Sequence, residues 1–277
     1  METKKVTCPI SGKDMDFLFS ETVLRKYEVD YFHCPESGLM RTEPPYWLDE
    51  AYSDAIVATD VGLVARNLRN SQQLAFILEI LGWEAGKFVD VAGGYGLLTR
   101  MLRDKGFDCY STDPYCENLF AQYFEPDEGF KADCIFAFEV MEHIENPLEF
   151  IEEAQERYQC RNFIFSTLLY GDSIPSRDWW YYVFDGGQHI SFYQKKTLEM
   201  MADKLGCHYL SIDKGLHLFT ESKLAGWQEF VLTNHFIRFF LRAFINRRRI
   251  KKSKTFEDFS LISQLGHSCL EAKSGNH

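Results

Sequence analysis

Apolar residues recur at near-helical spacing from Val64 through Leu68, Ala75 and Leu78 to Leu81, and Gly82 supplies a stop; this predicts a helix that leads into the apolar, β-branched strand KFVDV (87–91). A glycine-rich turn follows, then LLTRMLRDKG, whose Leu97, Leu98, Met101 and Leu102 form a helical stripe ended by Gly106. FDCYSTD (107–113) reads as the next strand, which completes a βαβ unit. Further strands are expected at CIFAF (134–138) and NFIFSTLL (162–169). They flank a helix in which Asn146 is the cap, Pro147 takes the first position and Glu149 completes a capping box. Leu198, Met201 and Leu205 mark another helix over 195–205, stopped at Gly206, and HYLSI and LHLFT offer two late strands. The alternation predicts an α/β fold: a Rossmann-like, mostly parallel sheet with helices on both faces. Only nineteen residues separate Asp113 from Asp133, too few for a helix, a strand and their connections, so strand 3 is expected to be short or missing.

The two ends of the chain break this pattern. Residues 1–45 hold two similar turns, CPISGK from Cys8 and CPESGL from Cys34, separated by an aromatic stretch that can pair as short strands. A zinc ribbon needs four N or S ligands, but Ser11 and Ser37 stand where the second cysteines would be, and His33 is the one further donor nearby. The segment therefore reads as a degenerate zinc-ribbon-like appendage in which bound zinc is not expected. Beyond residue 220, FIRFFLRAFINRRRIKK combines Phe236, Ile237, Phe239, Phe240, Leu241, Phe244 and Ile245 with a basic run of Arg247, Arg248, Arg249, Lys251, Lys252 and Lys254. Such an amphipathic helix can make peripheral contact with anionic lipid, or dock on its own domain or a partner subunit. The expected division is an appendage over 1–45, a catalytic domain over 46–220 and a helical, basic segment over 221–277.

Composition narrows the setting. With 277 residues the chain can bury a full α/β core without staples. It shows neither the apolar core of a signal peptide nor an uncharged run long enough to span a bilayer. Its eight cysteines include no close C-x-x-C pair, which fits reduced thiols and a cytoplasmic location. A net charge of −11 disfavours binding of nucleic acid by the whole surface.

The turn AGGYG after Asp90 lets backbone N–H groups approach a ligand where a strand feeds a helix. The dinucleotide fingerprint G-x-G-x-x-G is not met, because Leu97, Leu98 and Thr99 follow Gly96 with no third glycine. VDVAGGYG instead resembles motif I of the class I S-adenosylmethionine-dependent methyltransferases, with Asp90, Gly94 and Gly96 in register and Ala92 in place of the first glycine. FEVMEHIENP resembles the segment after strand 4 in quinone, sugar and natural-product methyltransferases. With GGQHISFY, the likeness runs from about residue 60 to 212. It implies S-adenosylmethionine as cofactor, held by Asp90, Ala92, Gly93, Gly94, Tyr95 and Gly96, by Asp113 and Pro114 at the end of the second strand, and by Phe138 and Glu139. A carboxylate at Asp113 can accept both hydroxyls of a ribose, although an Asp before a proline is also a common turn former.

Glu139, Glu142 and His143 form the spacing E-x-x-E-H, which puts two carboxylates one turn apart with an imidazole beside them. In the small-RNA 2′-O-methyltransferases and demethylubiquinone O-methyltransferases, which this segment resembles, the matching residues and a later histidine hold a divalent metal beside the acceptor hydroxyl; His189 is the matching position here. Three readings stay open: a divalent metal on Glu139, Glu142, His143 and His189; catalysis by His143, His189 or Glu142 as acid or base; and two histidines hydrogen-bonded only for structure. Trp179, Trp180, Tyr181 and Tyr182 cannot all face one core, so some are expected to line an acceptor surface, with Gln188 as a polar partner. The expected activity is O-methylation of a sugar or glycan-pathway acceptor. A small aromatic or quinone-like acceptor, and a non-catalytic module that keeps the fold, are the alternatives.

Overall fold

The structure is a computed structural model and describes residues 5–52, 61–248 and 251–274. In chain order it contains β1 (Asp16–Val23), β2 (Tyr27–His33), β3 (Met40–Thr42), α1 (Leu48–Ala51), α2 (Leu63–Leu81), β4 (Lys87–Val91), α3 (Leu97–Asp104), β5 (Asp108–Thr112) and β6 (Cys134–Ala137). There follow α4 (Pro147–Tyr158), β7 (Phe163–Ser166), β8 (Ser191–Phe192), α5 (Lys195–Leu205), β9 (His208–Asp213), β10 (Leu216–Thr220), α6 (Gly226–Thr233), α7 (His235–Arg248) and α8 (Thr255–Ser274). The fold is mixed α/β and Rossmann-like. Its contacts divide it into two compact units, Val61–Asp133 with Asn234–His277, and Met1–Asp60 with Cys134–Thr233. This division cuts across the three segments read from sequence, because both chain ends pack on distant partners.

In the first unit β4 and β5 run parallel, in register from Lys87↔Asp108 to Val91↔Thr112, and α3 makes the crossover between them. Leu98 and Leu102 of α3 are buried as the stripe predicts. The stripe of α2 is displaced, however: Leu74, Ala75, Phe76, Ile77, Leu78 and Leu81 are buried, whereas Val64 and Leu68 are exposed. Gly82 ends that helix in the left-handed conformation. Between Asp113 and Asp133 there is no strand. The connection runs as a loop whose Phe124 and Phe130 are buried, and Ser111 N–H donates to Phe124 O at 2.9 Å.

The basic tail is fastened to this unit. Gly106, at φ +93, lies so near the chain at Lys252 that a Cβ there would sit 2.6 Å from the Lys252 carbonyl. Arg103 of α3 donates to both oxygens of Asp258 in α8, at 2.9 and 2.6 Å, and also to Asp108 and the Cys109 carbonyl. Arg100 Nη2 lies 2.8 Å from Asp258, and the side chains of Arg103 and Asp258 are both almost fully buried. Burial works to raise the Asp258 pKa, but Arg103 and Arg100 outweigh it and hold the group below its ordinary value. Of the basic run, Arg249 lies outside the described residues, as do the side chains of Phe244, Arg247 and Arg248.

In the second unit β6 and β7 are parallel, but β10 pairs antiparallel with both β7 and β9. The two late strands thus form a hairpin rather than extending a parallel array, since the short link at Lys214 and Gly215 can only reverse the chain. Pro147 does take the first position of α4, but the Asn146 side chain makes no capping bond and there is no capping box with Glu149. The box lies at α5 instead, where Gln194 and Thr197 bond each other's backbone. The N-terminal strands do not stand alone: their antiparallel sheet has the order β1-β2-β3-β8, closed by two residues of the GGQHISFY segment. Phe19, Val29, Tyr31, Met40 and Trp47 share one apolar core with Tyr170, Tyr181, Tyr182, Ile190 and Phe192.

The two N-terminal turns are built alike and bond to one another. Ser11 N–H donates to Cys8 Sγ and Ser37 N–H to Cys34 Sγ, both at 3.4 Å. Across the gap, Cys8 Sγ lies 3.2 Å from Ser37 Oγ and Ser11 Oγ lies 3.2 Å from Cys34 Sγ. Two serine–cysteine hydrogen bonds therefore link the two turns. The protein is expected to carry no stoichiometric zinc, whereas a double variant, Ser11→Cys with Ser37→Cys, is expected to bind about one equivalent. Elemental analysis checks both, and zinc in the wild type that is lost on replacing Cys34 would overturn the expectation.

Candidate active site

The motif I turn lies between β4 and α3 in the first unit. Ala92 sits at φ 55, in the left-handed region where a side chain costs about 1 kcal/mol, so the missing glycine leaves a small strain at the first step of the turn. Gly93 cannot carry a Cβ, which would fall 2.4 Å from Ser111 Oγ and 2.8 Å from Asp90 Oδ2. Gly96, at φ 80, starts α3 and is closed in by Asn118. Gly94 differs from both: at φ +56 an added Cβ would meet nothing within 4 Å, so its backbone faces open space. Tyr95 O accepts from Leu119 N–H and Phe120 N–H, which ties the turn to the loop after β5.

Asp113 does the same from the other side. Its Oδ1 accepts from Tyr115 N–H and Cys116 N–H at 2.8 and 2.9 Å, and its Oδ2 accepts from Gly94 N–H at 2.9 Å. The turn-forming part of the sequence reading is thus visible, and Oδ2 keeps a lone pair for a further donor. Pro114 is exposed beside it. Asp90 lies beneath the turn, almost wholly buried, and burial together with the neighbouring Asp113 carboxylate pushes its pKa up to about 8.

The second group of residues belongs to the other unit. A short turn of 3-10 helix over Met141–His143 follows β6 and carries Glu142 and His143, while His189 comes from the segment that enters β8. One ligand atom from each of Glu142, His143 and His189 lies within 4.8 Å of the other two. The imidazole centroids are 4.9 Å apart at 79°, and the Tyr181 ring lies 4.6 Å from that of His189. His143 Nδ1 is 2.9 Å from Gln188 O, and His189 Nδ1 is 2.7 Å from Tyr181 O. A carbonyl can only accept, so both rings carry their proton on Nδ1 and keep the Nε2 lone pair. Burial lowers both histidine pKa values.

Glu142 is the anomalous member. It is buried, and its Oε2 has no hydrogen-bond partner. Burial, and then the Glu139 charge, raise its pKa to about 7. A buried carboxylate with an unsatisfied oxygen, grouped with two neutral imidazoles, is donor chemistry that suits a divalent cation. Glu139 falls outside this trio: it accepts from Ser166 Oγ at 3.0 Å, its own N–H donates to the same hydroxyl, and its backbone is left-handed at φ 57. Of the four residues read from sequence, Glu142, His143 and His189 are brought together. Phe138 is half-buried at the end of β6.

The aromatic run also needs correction. Tyr181 and Tyr182 belong to the core, Tyr182 stacking on Phe184 and donating to Pro175 O, while Trp179 is half-buried against them. Only Trp180, 71 % exposed, offers a free face. The Gln188 side chain is spent on the Ala51 carbonyl, at 2.7 Å, and its own carbonyl is what orients His143. Sequence reasoning missed Ser166, and it missed the carbonyls of Tyr181 and Gln188 as the groups that orient the two rings. A backbone acceptor leaves no mark in residue type.

Comparison with known proteins adds the family. A profile described as a methyltransferase domain matches residues 65–212, more than half of the chain. The chain belongs to the methyltransferase domain family. Residues 65–212 are therefore a methyltransferase domain, in keeping with the motif I resemblance. No curated protein matches the sequence at a significant level. Among solved structures, the mitomycin 7-O-methyltransferase is similar at 14 % identity and TM-score 0.41, over 62 % of this chain and 59 % of that one. An O-methyltransferase family protein from Burkholderia thailandensis is similar at 15 % identity and TM-score 0.43, over 65 % and 68 %. The magnesium protoporphyrin IX methyltransferase of Synechocystis PCC 6803, with bound SAH, is similar at 15 % identity and TM-score 0.39, over 62 % and 92 %. The first of these matches spans less than two thirds of its relative's length, and none carries a substrate over to this methyltransferase.

Proposed function

We propose that this methyltransferase methylates a hydroxyl oxygen, with Glu142, His143 and His189 holding a divalent cation on the acceptor side and the motif I turn holding the cofactor. The observation that carries the reading is the unpartnered, buried Glu142 Oε2 beside two imidazoles whose Nδ1 protons are already committed. When bound, the cation supplies Lewis-acid polarisation of the acceptor oxygen, which lowers its pKa. S-adenosylmethionine supplies a methyl group already activated on a sulfonium. The residues of the chain then bind and orient: Gly94 offers an unobstructed backbone, Asp113 Oδ2 a remaining acceptor for a ribose hydroxyl, and the carbonyls of Gln188 and Tyr181 fix the histidine rings. In chelator, turnover is expected to stop and to return with magnesium or manganese. Turnover that survives chelation but is lost in His189→Ala would replace the cation by a lone histidine base. Failure to bind S-adenosylmethionine at all would make the chain an interaction module.

Asp90 gives the cofactor reading its own test. Its carboxyl is largely protonated at neutral pH, and a cationic ligand favours the carboxylate, so binding is expected to release a proton and to tighten as pH rises toward about 8. Calorimetry in two buffers of different ionisation enthalpy reads that proton, and an affinity flat across neutral pH would remove Asp90 from the site. For the acceptor we favour a sugar or glycan-pathway hydroxyl. The support is the exposed Trp180 indole, which packs on Tyr181 at 5.3 Å and through it on His189, since an aromatic face stacks on sugar C–H groups. Assay of nucleotide sugars and glycans against catechols and quinols separates this from the aromatic alternative.

A further inference from the structure

Helix α7 presents two different apolar faces. Ile237, Leu241 and Ile245, spaced by four residues, are half-buried in a helix that packs on α2. Phe236, Phe239 and Phe240 are instead 76, 57 and 68 % exposed. At about 100° per residue these three, with the exposed Ala243, fall in one arc of the helix surface. Just beyond the basic run, Phe256 and Phe259 at the start of α8 are again exposed, at 78 and 69 %.

The charge along this stretch of sequence is one-sided. From Asn234 to Lys254 the chain carries eight arginines and lysines and no acidic residue, although the whole protein has a net charge of −11. Among the described side chains, Lys251 donates to the Glu84 carbonyl and Lys254 to Glu257, so these two serve inside the fold. Lys252 is exposed and Arg242 half-buried. A second copy of the chain would have to bring two such basic runs together, which like-charge repulsion opposes. Exposed phenylalanines beside a cationic stretch match a surface that is anionic in its headgroups and apolar just below them.

We propose that the exposed face of α7, with Arg242 and Lys252 as its described cations, docks this methyltransferase reversibly on membrane leaflets rich in anionic lipid. The phenylalanines enter the acyl boundary while arginine and lysine pair with headgroup phosphates, and methyl transfer is not required for either. The experiment is co-sedimentation of the whole protein with phosphatidylcholine vesicles, with and without phosphatidylglycerol, at low and high salt. Partition is expected to be at least about ten-fold stronger on the phosphatidylglycerol vesicles, and to be lost in high salt. Replacing all three, Phe236→Ser, Phe239→Ser and Phe240→Ser, is expected to abolish it with an unchanged thermal melt. Should that variant misfold, Arg242→Glu with Lys252→Glu is expected to give the same loss. Equal partition on both vesicles, none on either, or retention in a folded variant overturns the proposal. So does a wild-type dimer that the triple variant turns into a monomer, since the face would then belong to a second copy.

Discussion

Replacing Asp258 by alanine is expected to lower the stability of the protein by about 3–5 kcal/mol, the usual consequence of removing one partner from a buried ion pair. The loss comes less from the contact itself than from what is left behind. Arg103 would keep its charge inside the fold with only Asp108 and the Cys109 carbonyl to receive its donors, and Arg100 would lose its second carboxylate. Because the Asp258 pKa is depressed, its contribution is present above the ordinary carboxylate range and is lost as pH falls through the depressed value. The deficit of Asp258→Ala should therefore shrink in acid. Urea denaturation at several pH values measures this. A change below about 1 kcal/mol at neutral pH would mean that α8 contributes little to holding α3.

Glu142→Gln is expected to reduce methyl transfer by on the order of 10²–10⁴-fold while leaving cofactor affinity within about two-fold, since the residue is assigned to the acceptor and not to the motif I turn. In the wild type, activity is expected to climb as pH rises through about 7, where Glu142 loses its proton and becomes able to ligate; the lowered histidine pKa values keep both rings neutral throughout. Stability should move the opposite way. A carboxyl with a raised folded pKa contributes stability that is full below its unfolded pKa and is lost as pH rises through the folded value. The Glu142→Gln protein should therefore be the more stable of the two in mild alkali, though it is the less active. If the variant retains activity, or loses cofactor affinity in step with turnover, Glu142 does not act on the acceptor.

What the sequence made legible follows the range of the forces involved. The strand–turn–helix of motif I, the helix stops at Gly82 and Gly206 and the gap where strand 3 would lie are local, and each was readable from apolar period and turn chemistry. The trio of Glu142, His143 and His189 was only half legible. Spacing placed the first two together, but the partner of Glu139 is a serine on β7, and no pattern near residue 139 announces it. The aromatic run was misjudged for a related reason. Tyr182 packs on Phe19 and Tyr31, more than 140 positions earlier, and Tyr181 shares that core, so their burial depends on a sheet that local reading leaves out of the account. The exposed Val64 and Leu68 show the converse, apolar spacing without a core to face.

The closing of the N-terminal sheet by β8 bears on how the chain is made. Met40 pairs with Phe192, so during synthesis the β3 edge of this sheet stays bare until some 150 further residues have followed. Contacts of that separation close slowly. During translation the early hairpin must wait, its aromatic face uncovered, for the same segment that carries His189. The ribbon becomes a finished object only when the acceptor-side histidine arrives. Protein cut short before residue 192 would present an unpaired, aromatic edge, and so would tend to aggregate rather than persist as a soluble fragment.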